Sequence, residues 1–96
     1  MSGNLVTLYK RATNLMEAEI GEELVALDPV RGECFGFNSV ATSVWQKLEE
    51  PKSFEQLRDA LLDEFDVGLE ECNRDLRELL ESLMAKGLLN SAEPEA

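Results

Sequence analysis

Ninety-six residues enclose one hydrophobic core, because a second would need more apolar surface than this length can bury. Twenty acidic against nine basic residues give a net charge of −11, a field that repels nucleic-acid phosphates and anionic lipid and favours basic or neutral partners, or simply keeps a small helical domain soluble. An apolar fraction of 44% excludes a wholly disordered chain.

With no histidine, and with Cys34 and Cys72 standing 38 positions apart, the chain carries no metal-ligand spacing. That separation does not decide whether the cysteines pair; a buried thiol in a reducing compartment is the expected role. No long apolar run and no basic, apolar-cored N-terminus marks a membrane span or a signal peptide, so the cytoplasm is the expected location.

Taken in order, residues 1–14 read as an N-terminal arm or a short extra strand, residues 15–90 as one domain, and residues 91–96 as a disordered tail; residues 1–4 should also fray. The run LVTLY at residues 5–9 has strand composition but is too short to choose between arm and strand. Residues 15–20 alternate, with Met16, Ala18 and Ile20 on one side and Glu17 and Glu19 on the other, which suits a strand with one wet face. Gly21-Glu22 supplies a two-residue reversal with glycine in first place, and residues 24–27 return as a second strand. Pro29 and Gly32 bracket a four-residue turn. Residues 33–37 then form a third strand, with Phe35 and Phe37 on the face that covers the helices and Cys34 and Gly36 on the other.

Asn38-Ser39 offers capping oxygens to a first helix over residues 40–48, whose apolar positions Val40, Ala41, Val44, Trp45 and Leu48 bury the indole against the sheet. Ser53 and Gln56 form a capping box for a second helix with the stripe Phe54, Leu57, Leu61 and Phe65. Gly68 opens a third helix with the stripe Leu69, Cys72, Leu76, Leu79 and Leu83, and Gly87 ends it. The fold class is therefore α+β: a three-stranded antiparallel sheet followed by three helices, a winged helix-turn-helix-like arrangement in which Leu88 and Leu89 can form a wing. Topology of this kind does not by itself assign function.

The residues Leu27-Asp28, Gly32, Phe37-Asn38, Ala41 and Trp45, followed by Phe54, Leu57, Leu61, Phe65, Leu79, Leu83 and Lys86-Gly87-Leu88, resemble the PqqD-like family over residues 15–89. The resemblance implies a peptide-binding chaperone, or precursor-peptide recognition element. Such a protein holds the leader segment of a ribosomally made precursor as a strand added to the third strand, beside the third helix, and presents it to a peptide-modifying enzyme. Phe37 stands where leucine is commoner in the family and Gly68 where an acidic residue is commoner, which bears on packing and on cap strength.

Strand addition needs an exposed edge, whose amides and carbonyls supply affinity while side-chain pockets supply selectivity. The peptide-binding residues expected on this basis are Glu33, Cys34, Phe35, Gly36 and Phe37 on the strand. Gly36 either admits close approach of a ligand or relieves crowding near the turn. On the third helix, Asn73, Arg77, Leu80 and Met84 share one arc beside the core stripe and are the expected groove wall, although Leu80 also fits the core. The free edge is equally a template for a weak or strand-exchanged homodimer. No cofactor is expected, and catalysis lacks an evident nucleophile–base pair. Two rival readings are winged-helix DNA binding, opposed by the acidic third helix, and a pure assembly subunit docking on a partner enzyme.

Overall fold

The computed structural model describes residues 7–92; residues 1–6, with the expected N-terminal fraying, and the last four residues of the expected tail lie outside them. Nine elements follow in order: β1 (Leu8–Arg11), β2 (Met16–Ile20), β3 (Glu23–Asp28), β4 (Glu33–Phe37), α1 (Ser39–Lys47), β5 (Lys52–Ser53), α2 (Phe54–Glu64), α3 (Leu69–Ala85) and β6 (Leu89–Ala92). They build two antiparallel three-stranded sheets, ordered β2-β3-β4 and β5-β1-β6, around three helices.

The first sheet is the one anticipated from the sequence, and local chemistry sets its register. Gly21 has φ +67° while Glu22 stays outside the left-handed region, the signature of a type II′ turn, so Ile20 pairs with Glu23. At the other end of β3, Asp28 Oδ1 accepts the amides of Val30 and Arg31, each at 3.1 Å, and Asp28 O accepts Gly32 N at 2.8 Å. That closure pairs Asp28 with Glu33 and Leu24 with Phe37.

The second sheet joins the two ends of the described chain. Strand β1 pairs with β6 from Leu8↔Ala92 to Arg11↔Leu89 and with β5 at Leu8 and Tyr9. The N-terminal segment thus contains a strand over Leu8–Arg11, and β6 takes in Ser91 and Ala92, which the sequence reading placed in the tail. Leu88 and Leu89, 0% and 2% exposed, anchor this wing in the core.

Helix ends follow their capping chemistry. Asn38 Oδ1 accepts Ala41 N at 2.8 Å at the start of α1. Ser53 and Gln56 exchange reciprocal bonds at the start of α2. Gly87, at φ +77°, closes α3 in a Schellman arrangement, with Leu88 N bonded to Leu83 O and Gly87 N to Met84 O.

The core packs Ala26 and Phe37 of the first sheet against Val44, Trp45, Leu48, Leu57, Leu61, Leu76, Leu80 and Leu83 of the helical region. Phe37 and Trp45 stack with centroids 5.3 Å apart. The helical stripes are narrower than expected: Phe54, Phe65 and Leu79 are half-buried, and Val40 and Leu69 are exposed. A salt-bridged polar cluster ties α1 to α2, where Lys47 Nζ lies 2.7 Å from both Ser43 Oγ and Glu64 Oε1, and Ser43 donates to the same carboxylate. These bonds, first from Lys47 and then from Ser43, hold the Glu64 carboxyl below its ordinary value.

Two expectations are corrected. On β2 it is the glutamates that share the face of Ala26 and the core, because Glu17 pairs with Ala26 and Glu19 with Leu24, while Met16 and Ile20 stand 57% and 65% exposed. Glu17 is held there by the Trp45 indole, which donates Nε1–H to Glu17 Oε1 at 2.7 Å, and by Arg11 at 3.7 Å. Only Cys72 is a buried thiol, its titration pushed up by burial; Cys34 is exposed, and both cysteines are free.

Candidate functional site

Strand β4 is paired on one side only, with β3, and is an edge among the described residues. The register decides which of its backbone groups face outward. The type II′ turn makes Ile20 and Glu23 a hydrogen-bonded pair, and bonding direction alternates along a strand. Glu23, Val25 and Leu27 therefore address β2, and Leu24, Ala26 and Asp28 address β4. Their partners Phe37, Phe35 and Glu33 direct N–H and C=O groups to β3, which leaves those of Cys34 and Gly36 turned to the open edge. A Cβ built on Gly36 would meet nothing within 4 Å, so relief of crowding does not account for this glycine.

Beside the edge lies α3. An open groove of about 410 Å³ is lined by Asn38 and Val40 where β4 leads into α1, and by Asp75, Glu78, Leu79 and Ser82 of α3. Val40 and Asp75 also line a more enclosed apolar pocket of about 190 Å³, walled by Leu61, Phe65, Val67 and Leu76. The two spaces therefore adjoin. Midway along β4 the side chain of Phe35, half-buried, has the Lys86 ammonium 5.8 Å from its ring centroid. Arg31 reaches the same corner, donating to Lys86 O at 3.4 Å and lying 3.7 Å from Glu33. The groove itself is anionic at Asp75 and Glu78, and the cations Arg31 and Lys86 stand outside it, at the corner beside Glu33 and Phe35.

The structure brings together one part of the expected site and separates another. On β4, Cys34 and Gly36 present backbone, Phe35 presents a side chain, and Glu33 is exposed at the strand's start. Phe37 is 6% exposed and serves the core. Leu80, 1% exposed, is likewise a core residue and not a groove wall. At about 100° per residue, Asp75, Glu78, Ser82 and Lys86 fall on one flank of the α3 core stripe and Asn73, Arg77 and Met84 on the other.

The three remaining expected helix residues are accordingly turned away from β4. Arg77 lies over the Phe54 ring at 5.5 Å, at the start of α2. Asn73 is half-buried, with an Oδ1 that finds no partner among the described residues. Met84 is 37% exposed on the same flank. Both flanks border the apolar stripe equally, so helical spacing alone gives no sign of which one β4 approaches; Lys86, at the helix end, was within reach of sequence reasoning through the Lys86-Gly87-Leu88 match.

No cluster of metal-ligating side chains occurs among the described residues, and no described helix is long and apolar enough to cross a membrane. The chemistry on offer is recognition: an unpaired backbone edge, a polar groove and an apolar pocket.

Comparison with known proteins gives a consistent picture. The family model described as coenzyme PQQ synthesis protein D (PqqD) matches residues 23–89. The solved structure of TbiB1 in complex with the TbiA(beta) leader peptide is 36% identical, with a TM-score of 0.77, over 84% of this chain and 94% of that one. The solved structure of lasso peptide synthetase B1 complexed with the leader peptide superposes with a TM-score of 0.76 at 24% identity, over 85% of this chain and 96% of that one, a likeness of fold. No curated protein matches the sequence.

Proposed function

We propose that this chain, which belongs to the PqqD family, captures the leader segment of a ribosomally made precursor peptide by strand addition and presents it to a modifying enzyme. The observation that carries the reading is the edge of β4, where Cys34 and Gly36 turn their N–H and C=O groups outward beside the groove that α3 walls. A peptide strand laid there gains main-chain hydrogen bonds from those two residues, and its alternate side chains enter the groove. One apolar side chain of the peptide fits the adjoining pocket of Val40, Leu61, Phe65, Val67 and Leu76. The kinship with TbiB1, solved with a leader peptide bound, supports the same mode here.

The role is binding and presentation, without a catalytic step of its own. Affinity comes from the edge and selectivity from the side chains around it, so a leader with basic side chains in the groove near Asp75 and Glu78 and acidic ones at the corner of Arg31 and Lys86 is favoured.

Calorimetric titration tests the reading with two ligands: the TbiA(beta) leader peptide, and the leader of a precursor encoded beside this chain. Saturable one-to-one binding with at least one of them is expected, accompanied by protection of the Cys34 and Gly36 amides from hydrogen exchange. Binding that leaves both amides unprotected rules out addition at this edge, and no binding of either peptide by the folded chain removes the leader-capture reading.

A further inference from the structure

The charges on the flank of α3 that walls the groove are ordered along the helix. Asp75, Glu78, Ser82 and Lys86 follow one another at spacings of three, four and four, so they form a single row, anionic toward the helix start and cationic at its end. Strand β4 runs the other way along this row. The Lys86 ammonium stands 5.8 Å from the Phe35 ring centroid, whereas Asn38, just past the strand's end, shares the groove with Asp75, Glu78 and Ser82. Arg31, 3.7 Å from Glu33, adds a second cation where β4 begins. Asp75 has Arg74 at 3.4 Å, but Glu78 and Lys86 are exposed and form no salt bridge among the described residues.

We infer that this row reads the leader by the order and spacing of its charges: a basic side chain, an apolar one two positions later and an acidic one two beyond that, counted from the leader's N-terminus. The inference rests on leader capture at β4. Every pairing in the β2-β3-β4 sheet is antiparallel, and the antiparallel ladder is the more stable kind, so an added strand runs opposite to β4. Its residues across from Phe37, Phe35 and Glu33 turn their side chains to the helix side, because paired residues share a face. Taken along the leader, the first of these comes toward Glu78 and Ser82, the second rests on the half-buried Phe35 ring, and the third reaches Arg31 and Lys86. Length selects the spacing. Glu78 and Lys86 lie about 12 Å apart along the helix axis, and four residues of antiparallel strand span about 14 Å, against about 7 Å for two. An interval of three or five puts the two charges on opposite faces of the added strand, and one of them leaves the row. The reverse order places like charges together at both ends.

The test uses the full chain and synthetic peptides of one composition in one strand-forming frame, which carry Lys-Thr-Leu-Thr-Glu, the reverse Glu-Thr-Leu-Thr-Lys, or the same residues with lysine and glutamate three apart. The TbiA(beta) leader and the leader of a precursor encoded beside this chain are titrated alongside, as controls for capture. In calorimetry at low salt the first order should bind roughly tenfold more tightly than the reverse, since two attractive pairs replace two repulsive ones. The three-apart peptide should fall between them, and about 1 M salt should bring all three within about twofold. Glu78→Lys/Lys86→Glu should invert the preference, and the milder Glu78→Gln/Lys86→Gln should reduce it to within about threefold. Both positions are exposed, so the fold should persist, which circular dichroism checks. Equal affinity for the two orders, equal affinity for the two spacings, or a preference that survives in both variants overturns the inference. A natural leader that binds while none of the synthetic peptides does overturns it equally; leader capture stands in each of these cases. Failure of the folded chain to bind either natural leader defeats leader capture itself, and this inference with it.

Discussion

The indole of Trp45 donates to Glu17 Oε1 at 2.7 Å, linking the one tryptophan of the helical core to a strand that exposes its apolar side chains. Arg11 completes the arrangement, with its guanidinium 4.7 Å from the Trp45 ring centroid and bonded to Trp45 O. One glutamate thus fixes which way β2 faces. A buried indole N–H without an acceptor is destabilising by about 1–3 kcal/mol, and Glu17 lies at the sheet's margin, where water can partly replace it. Glu17→Ala should therefore lower stability by about 1 kcal/mol, and Glu17→Gln, which keeps an acceptor, by less. Urea denaturation followed through Trp45 fluorescence measures both; equal stability of all three proteins would show that the bond does not set the strand's orientation.

Proline scanning separates the two edges of β4. Cys34→Pro removes an amide that points outward, and proline is tolerated where the amide faces solvent, so the fold should survive. Leader affinity should fall by roughly tenfold, the worth of about one hydrogen bond with its local strain. Phe35→Pro removes a bond to β3 instead and should cost about 3 kcal/mol of stability or more. Thermal melts alongside peptide titrations distinguish these outcomes, and the reverse ranking would mean that the assigned parity is wrong.

The two flanks of α3 make a second contrast. Ser82→Arg places bulk in the groove beside Leu79 and should weaken leader binding at least about tenfold, while at a half-buried helix position with an open groove before it the stability change should stay within about 1 kcal/mol. Arg77→Glu, on the flank that meets Phe54, should leave leader affinity within about twofold. Equal losses at the two positions would place the peptide elsewhere.

Acid should loosen the junction of α1 and α2. Glu64 is held below its ordinary value of 4.5 by Lys47 and Ser43. A depressed carboxylate contributes stability that is fully present above its unfolded-state value and is lost as pH falls through the folded-state value. The melting temperature of wild type should exceed that of Glu64→Gln at pH 7, and the gap should close as pH drops below 4.5. A gap that persists unchanged through this acid range assigns the difference to packing and not to charge.

Duplex DNA should not bind at physiological salt. The exposed acids of α3, among them Glu70, Glu71, Asp75, Glu78 and Glu81, oppose the counterion exchange that such binding requires. Fluorescence anisotropy with random duplex should stay flat; tight, salt-sensitive binding would revive the winged-helix reading.

Local chemistry written in consecutive residues fixed much of this protein in advance. Gly21, Asp28, Asn38, the Ser53–Gln56 box and Gly87 each act within a few positions of themselves, so the β2-β3-β4 sheet, the three helices and their ends follow from the sequence. The edge strand β4 followed too, because an aromatic alternation over residues 33–37 has one natural face. What sequence could not supply were choices between two locally equal options. The stripe on α3 has two flanks, and only the folded chain sets Asn38 and Val40 across a groove from Asp75, Glu78 and Ser82 and not from Asn73 and Arg77. Strand β2 has two faces, and an apolar-in pattern predicts the burial of Met16 and Ile20. Long-range partners, Trp45 28 positions away and Arg11, hold Glu17 on the helix-facing side instead. Strand β1 needed a partner from the far end of the chain, since a four-residue run gains a ladder only when β6 lies beside it. Periodicity reports which residues share a side; which side meets what is decided by packing between distant segments.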